Sequence, residues 1–342
     1  MLKYKMLKRK MSDLLNTLGA EEPLPPIKEL MSRYGVSLTT VNKALEELEA
    51  GGRITRRRGS GIFSNRDKRT AQGKIIECFF SVMAGYEQLF QGISEVAHRN
   101  GMRLFLHYCP EGVEGVRQTI ADRIDEGIRC AIVLPTTGAS RNQRYIASVQ
   151  QLSQKGIPVV VVGIPLPGVQ VADYIEVDNQ RGFQTATEQL ARHKCGKFCF
   201  VGNTSSVPVQ ARLAGVREAL KAGGNDIVVV EADSRAALGP VARRVVEAAP
   251  DAVFLGGLAN GAALCYELLL AYGGREKLPM VAGVVQEGGR LPIEDAITIE
   301  VPTVTLGRRA AELALRPRKE KGLPVVEFLP IKILKSGAEK QQ

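Results

Sequence analysis

The sequence predicts an α/β protein in two unlike parts. One is a small N-terminal helix–turn–helix with a basic hairpin, and the other a much larger body of two doubly wound lobes. Three observations predict this. Residues 28–64 read as helix, glycine turn, helix and a hairpin holding three consecutive arginines. From residue 75 onward, short apolar runs alternate with helical stretches, the pattern of parallel sheets covered on both faces. Positive charge is concentrated at one end: residues 1–70 hold 15 Lys+Arg against 8 Asp+Glu, while the remaining 272 hold 31 against 28.

A length of 342 residues exceeds what one core usually organises, so at least two domains are expected. A basic end on a nearly neutral body points to a polyanion at that end. The six cysteines (Cys78, Cys109, Cys130, Cys195, Cys199 and Cys265) lack the paired spacing of a metal site, and several lie in apolar runs. Reduced, mostly buried thiols in a cytoplasmic protein are the expectation. The opening stretch MLKYKMLKRK has no apolar core of a secretory leader, and no apolar run reaches the length of a membrane span.

In residues 1–18, Tyr4, Leu7, Met11, Leu14 and Leu15 recur at helical spacing, with lysines between them. Gly19 ends this helix, and the prolines of EEPLPP make the next stretch a loop. A second helix is predicted over 27–34, with Leu30 and Met31 inward. Gly35 supplies the turn, and Ser37 stands at an N-cap. Val41, Leu45 and Leu48 then repeat at i, i+4 and i+7 and must face a core. The other face shows Thr39, Asn42, Lys43 and Glu46. The acids Glu46, Glu47 and Glu49 crowd the far half, so phosphates would approach the N-terminal end. Gly51 and Gly52 stop the helix. Residues 53–58 and 61–64 form a hairpin around Gly59 and Ser60 that can lay a thin positive loop along a groove.

These residues resemble the winged helix–turn–helix of the GntR family of bacterial transcription regulators, over roughly residues 4–64. The carriers are LP at 24–25, KEL at 28–30, YGVS at 34–37, TTV at 39–41, KALEELEAGG at 43–52 and RRRGSGIF at 56–63. The resemblance implies a DNA interface made of Lys28, Ser37, Leu38, Thr39, Thr40, Asn42, Lys43, Arg56, Arg57, Arg58, Gly59, Ser60 and Gly61. Leu38 and Asn42 stand where the family usually has arginines, so base preference should differ. Asn42 has the chemistry to pair with adenine, and Leu38 to pack on a thymine methyl. Pro26 and Ile27 also replace the usual Ser-Glu pair.

Residues 65–74 form a polar linker without an apolar anchor. This gives domains at 1–64 and 75–342. In the body, strands are predicted at 75–82, 102–109, 130–137, 157–163 and 173–179, then at 197–202, 226–232, 251–257, 278–284, 296–302 and 325–334. Helices lie between most of them. So many strands exceed one sheet of usual width. Two lobes joined near 163–178 and again near 286–304 fit better, with a ligand between them at the carboxyl ends of the strands.

The body resembles the effector-binding domain of the LacI family, which is periplasmic-binding-protein-like in fold. The resemblance is carried by FQGISEVAHRNGMRL (90–104), EVDNQRGFQTATEQL (176–190), ARLAGVREAL (211–220), PDAVF (250–254) and ITIEVPTVTLGRRAAEL (297–313). A GntR-type reader on a LacI-type body is the layout of arabinose-repressor-like regulators. By this likeness Arg212 would hold the effector and Tyr86 would wall the pocket. Ser81, Thr136 and Asn203 follow strands where cleft residues should lie. Asp178 and Asn179 fit a structural role at the lobe crossing. The family often has an Asn-Asp pair where Gly257 and Leu258 stand, and an Asp where Val285 and Gln286 stand. Asn260 and Gln286 remain as hydrogen-bonding candidates. Arg212 without those acids favours an anionic or carbonyl-bearing effector over a sugar.

His98, His107 and His193 are isolated, and no metal, phosphate-loop or nucleophile motif occurs. No enzyme, cofactor or metal is expected. The resemblance implies a homodimeric repressor that binds a pseudo-palindromic double-stranded operator and senses a sugar or an organic acid. The alternative at this stage is a small-molecule binding protein without a DNA function.

Overall fold

The computed structural model describes residues 7, 10, 11, 14, 15, 18, 22–50, 53–57, 59–64, 75–83, 85–126, 128–169, 172–193, 195–221, 223–233, 236–257, 261–316 and 323–335. Tyr4, Gly19, Gly51, Gly52, Arg58, Leu258, Asn260 and the linker 65–74 lie outside them.

The head is built around helix α1 (Ile27–Tyr34), helix α2 (Leu38–Ala50) and the hairpin of β1 (Ile54–Arg57) with β2 (Gly61–Ser64). Gly35 closes α1 at φ 62°, the left-handed conformation that a Cβ would strain. Ser37 caps α2: its Oγ accepts from the Thr40 backbone N–H at 3.3 Å. Val41, Leu45 and Leu48 are buried, together with Leu30 and Ile54. Leu7, Met11 and Leu15 join the same core, as their spacing predicted. The proline stretch does more than loop. Leu24 N–H donates to Ile62 O at 2.7 Å, and Ser64 N–H to Glu22 O at 2.9 Å, so residues 22–24 run beside β2.

In the body, the first lobe holds β3 (Ile75–Phe80), α3 (Glu87–Arg99), β4 (Arg103–Tyr108), α4 (Val113–Glu126), β5 (Ala131–Val133), the short α5 (Thr137–Ser140), α6 (Gln143–Gln154), β6 (Val159–Val162) and β7 (Asp173–Val177). The second holds α7 (Asn179–Ala191), β8 (Phe198–Gly202), α8 (Val207–Lys221), β9 (Ile227–Glu231), α9 (Leu238–Ala248), β10 (Ala252–Leu255), α10 (Gly261–Tyr272), β11 (Met280–Gln286) and β12 (Ile297–Val301). Helix α11 (Thr303–Leu315) and strand β13 (Val326–Leu329) return to the first lobe, and β14 (Lys332–Lys335) closes the second.

The first sheet has the order β13-β7-β6-β5-β3-β4 and is parallel throughout. The second has the order β14-β12-β11-β10-β8-β9, with β14 antiparallel to β12. One expectation is corrected here. Residues 325–334 are not one final strand: Pro330 interrupts the run, and its halves β13 and β14 belong to different sheets. The chain therefore crosses between lobes at Asp178, at Pro302 and a third time near 330. The first two fall within the predicted stretches.

The helices that follow the first two crossings pack unusually close. A Cβ on Gly307 of α11 would lie 2.0 Å from Leu89 O of α3, and one on Gly92 of α3 would lie 2.0 Å from Val304 O of α11. In the second lobe a Cβ on Gly215 of α8 would lie 2.0 Å from Gln180 O of α7. Glycine at these crossings lets backbone meet backbone, and each lobe is thereby locked to a crossing helix.

Strand order reverses direction between β3 and β5 in the first sheet, and between β8 and β10 in the second. Ligands of doubly wound sheets settle at such switch points. The six cysteines are free thiols, and five of them are buried.

Candidate functional sites

On the head, the exposed face of α2 begins with Leu38 (49 % exposed), Thr39 and Lys43, while Asn42 is half-buried. The first turn of α2 contains no acid, so the positive end of its dipole is uncompensated there. Lys28 is exposed on α1. Gly59, Ser60 and Gly61 form the exposed tip of the hairpin, closed by Ser60 N–H to Arg57 O at 3.0 Å.

The wing arginines divide. Arg57 is exposed and its guanidinium lies over the Phe63 ring at 4.9 Å. Arg56 turns the other way. Its Nε is 3.2 Å from Glu49 Oε2, and its Nη2 donates to Asn42 O at 3.3 Å. It ties the wing to α2, because strand alternation puts it on the side of buried Ile54. Arg56 is thus held at the junction of wing and helix, while Arg57 points outward.

Between the lobes lies a cavity of about 560 Å³, open to solvent and walled at both switch points. Tyr86, Thr136, Asn203 and Arg212, four of the residues the sequence nominated, line it together. Ser81 does not: the chain after β3 presents Val82 to the cavity instead. Gln286 is also absent from the wall. Its Nε2 donates to Gly85 O at 3.1 Å, a bond from the second lobe to the first.

Arg212 is the central polar feature. It is 4 % exposed on α8, its Nε donates to Asn179 Oδ1 at 2.8 Å, and its Nη1 to Gly256 O at 2.6 Å. The Phe183 ring lies 5.9 Å from its guanidinium carbon. Burial lowers its pKa to about 10. Among the described residues no carboxylate comes within ion-pair distance of it.

Asn179 is the residue the sequence reading undervalued. It lines the cavity, holds Arg212 and donates to Val177 O at 3.2 Å. Asp178 acts structurally, accepting from Arg181 N–H at 3.1 Å to cap α7. The apolar wall, including Leu89, Val209 and Leu238, went unnominated because its members look like ordinary helix positions.

The lobes touch directly at the cavity rim. Val207 N–H donates to Thr137 Oγ1 at 3.2 Å, and Gln88 Nε2 to Glu287 O at 3.0 Å. Within the first lobe, Thr303 Oγ1 of α11 bonds Gln88 Oε1 and steadies that side chain. The bonds of Val207, Gln88 and Gln286 tie the two lobes to one another at the cleft.

Away from the cleft, Glu77 is buried in the first lobe. Its carboxylate accepts from Arg123 at 2.8 and 2.9 Å and lies 2.9 Å from His107 Nε2. His107 stacks on Phe79 at 4.6 Å. This cluster faces the packing between β3 and α4, and it is structural. No group of metal-ligating side chains occurs among the described residues, and none of their helices is long and apolar enough to cross a membrane.

Fold and cleft together define a two-lobed body with a cavity between its lobes and a winged helix–turn–helix head. Residues 3–63 match the family model of bacterial regulatory proteins, gntR family. The arabinose metabolism transcriptional repressor of Geobacillus stearothermophilus is 26% identical over 198 residues, 56% of this chain and 53% of that protein. The uncharacterized HTH-type transcriptional regulator YydK of Bacillus subtilis is 38% identical over 71 residues, covering 20% of this chain and 30% of that one. The chain thus spans about half or less of the length of the curated relatives it matches.

Among solved structures, the lac repressor dimer bound to operator and the anti-inducer ONPF superposes with a TM-score of 0.64 at 16% identity, over 79% of this chain and 96% of that one. A LacI family regulator from Enterococcus faecium with bound ribose gives 0.60 at 19% identity, over 77% and 97%. The N-terminal segment is a GntR-type winged helix–turn–helix, and the body has the LacI-type, periplasmic-binding-protein-like fold.

Proposed function

We propose that this chain is a ligand-responsive transcription regulator, a repressor that binds a pseudo-palindromic operator as a homodimer and carries its effector between the lobes. The observation that carries this is the pairing of an exposed, acid-free helix N-terminus and basic wing on the head with a cavity at both switch points of the body. Two curated relatives are repressors by name. The domain division at 1–64 and 75–342, with a linker between, belongs to the same proposal, as do the cytoplasm as its location and the absence of catalysis.

One recognition helix reads about half a site, so two chains are needed. Apolar side chains exposed on both lobes suit a dimer: Phe105, Leu106 and Tyr108 on edge strand β4, Val228 on edge strand β9, and Tyr266 and Leu270 on α10. Effector binding would alter the lobe angle and so the spacing of the two heads, which couples the two affinities.

A gel shift with the DNA immediately upstream of the chain's own coding sequence tests this. Binding at concentrations where a shuffled duplex stays free is expected. Equal affinity for both duplexes would refute it.

A further inference from the structure

Building on the cleft as the effector site, we infer that its ligand is a small organic anion, a carboxylate or phosphate ester, whose charge pairs with Arg212. A guanidinium with this little exposure is costly to desolvate unless an opposite charge compensates it. Here its Nε and Nη1 meet only neutral oxygens, those of Asn179 and Gly256. Its Nη2 has no hydrogen-bond partner among the described residues and is not among their fully enclosed unpartnered atoms, so it is open to the cavity.

The surroundings do not supply the missing charge. The stretch from 256 to 261 reads GGLANG and that from 283 to 286 reads GVVQ, without one acid. Gly256 cannot be enlarged to bring one in, since a Cβ there would lie 2.3 Å from the Phe200 ring. Helices α8 and α10 both begin at the cavity, and neither has an acid in its first turn. Their dipoles add positive potential where Arg212 already stands. The acid on the wall, Asp233, is exposed at the rim, where water screens it.

The rest of the lining joins apolar walls, Val82, Leu89, Val209 and Leu238, to neutral polar side chains such as Thr136, Thr137, Asn203, Ser205 and Ser206, which can hydrogen-bond the uncharged part of the ligand and leave its charge to Arg212.

Matched twins test the inference by isothermal titration calorimetry on the intact wild-type chain: glucose against glucuronate, galactose against galacturonate, and ribose against ribose 5-phosphate. At least one anion should bind about 30-fold tighter than its neutral twin, the usual advantage of a charge-assisted contact. Arg212→Gln should abolish that preference, and Arg212→Lys should keep it at reduced affinity. Because the twins are compared on the wild-type chain, the result does not depend on how either variant folds. Neutral twins binding as tightly as the anions, or no anion binding at about 10 mM, would overturn the inference. Failure of the regulator reading looks different: specific DNA binding would be missing while the anion titrations stayed intact.

Discussion

Replacing Arg57 with alanine should flatten the salt dependence of DNA binding, whereas replacing its neighbour Arg56 should not. Arg57 is exposed beside the hairpin tip, positioned to meet a phosphate. Each phosphate contact contributes about 0.9 to the slope of log affinity against log salt, and a dimer carries two copies, so the slope should fall by about 1.8. Between roughly 50 and 200 mM salt, the advantage of the wild type over Arg57→Ala should therefore shrink about 12-fold. Arg56 holds Glu49 and the Asn42 carbonyl, with 33% and 41% of the two ion-paired side chains exposed. A pair that open contributes less than about 1 kcal/mol, and the carbonyl bond about 1 more, so Arg56→Ala should cost the head about 1–2 kcal/mol. Its slope should match the wild type. Fluorescence anisotropy across the salt series, with thermal melts of each variant, measures both. Equal slope changes in the two variants, or none in either, would refute the division of labour.

Three further outcomes follow from the body. Glu77→Gln should destabilise the protein by about 3 kcal/mol at pH 7, because it removes the buried carboxylate that accepts from Arg123 at 2.8 and 2.9 Å. Burial pushes the Glu77 carboxyl up, but hydrogen bonds from Arg123 and His107 outweigh it and hold it below the ordinary 4.5. That stabilisation is complete above about pH 4.5 and fades as pH falls through the lower folded value. Urea titrations showing an unchanged gap between wild type and variant well below pH 4.5 would contradict this. Gly307→Ala should force α3 and α11 apart and cost about 1–3 kcal/mol, read as a lowered urea midpoint; an unchanged midpoint would show that the crossing is looser than the 2.0 Å approach requires. Gln286→Ala removes one bond between the lobes, about 1 kcal/mol, and should shift the open-to-closed ratio about fivefold towards open. Small-angle scattering that superposes on the wild-type curve would count against that tie.

The features legible in the sequence were those with a local period. Val41, Leu45 and Leu48 announce their helix face, and the alternation of apolar runs and helices announces two doubly wound sheets. The same local reasoning, taken one step further, would have found Arg56: it shares strand parity with Ile54 and so faces α2. Other features depend on elements meeting in space. Arg212 was legible from its motif, but its partner Asn179 lies 33 residues away on another helix. Gln286 was nominated because it stands where the family often has an acid, and its bond to the other lobe's Gly85 carbonyl shows only once both lobes are in place. Residues 325–334 read as one strand because Pro330 sits in an otherwise continuous apolar run, and nothing local says that its two halves serve different sheets. The close glycine crossings at Gly92 and Gly307 are likewise invisible until both helices are in place.

A ligand-responsive regulator requires the cleft and the head to be coupled. The most direct measurement is the dissociation constant of the intact chain for its upstream DNA, with and without a saturating amount of the tightest-binding member of the twin series. A change of about 5- to 150-fold is expected, with DNA changing the ligand's own dissociation constant by the same factor. Identical constants in the presence and absence of ligand would contradict it.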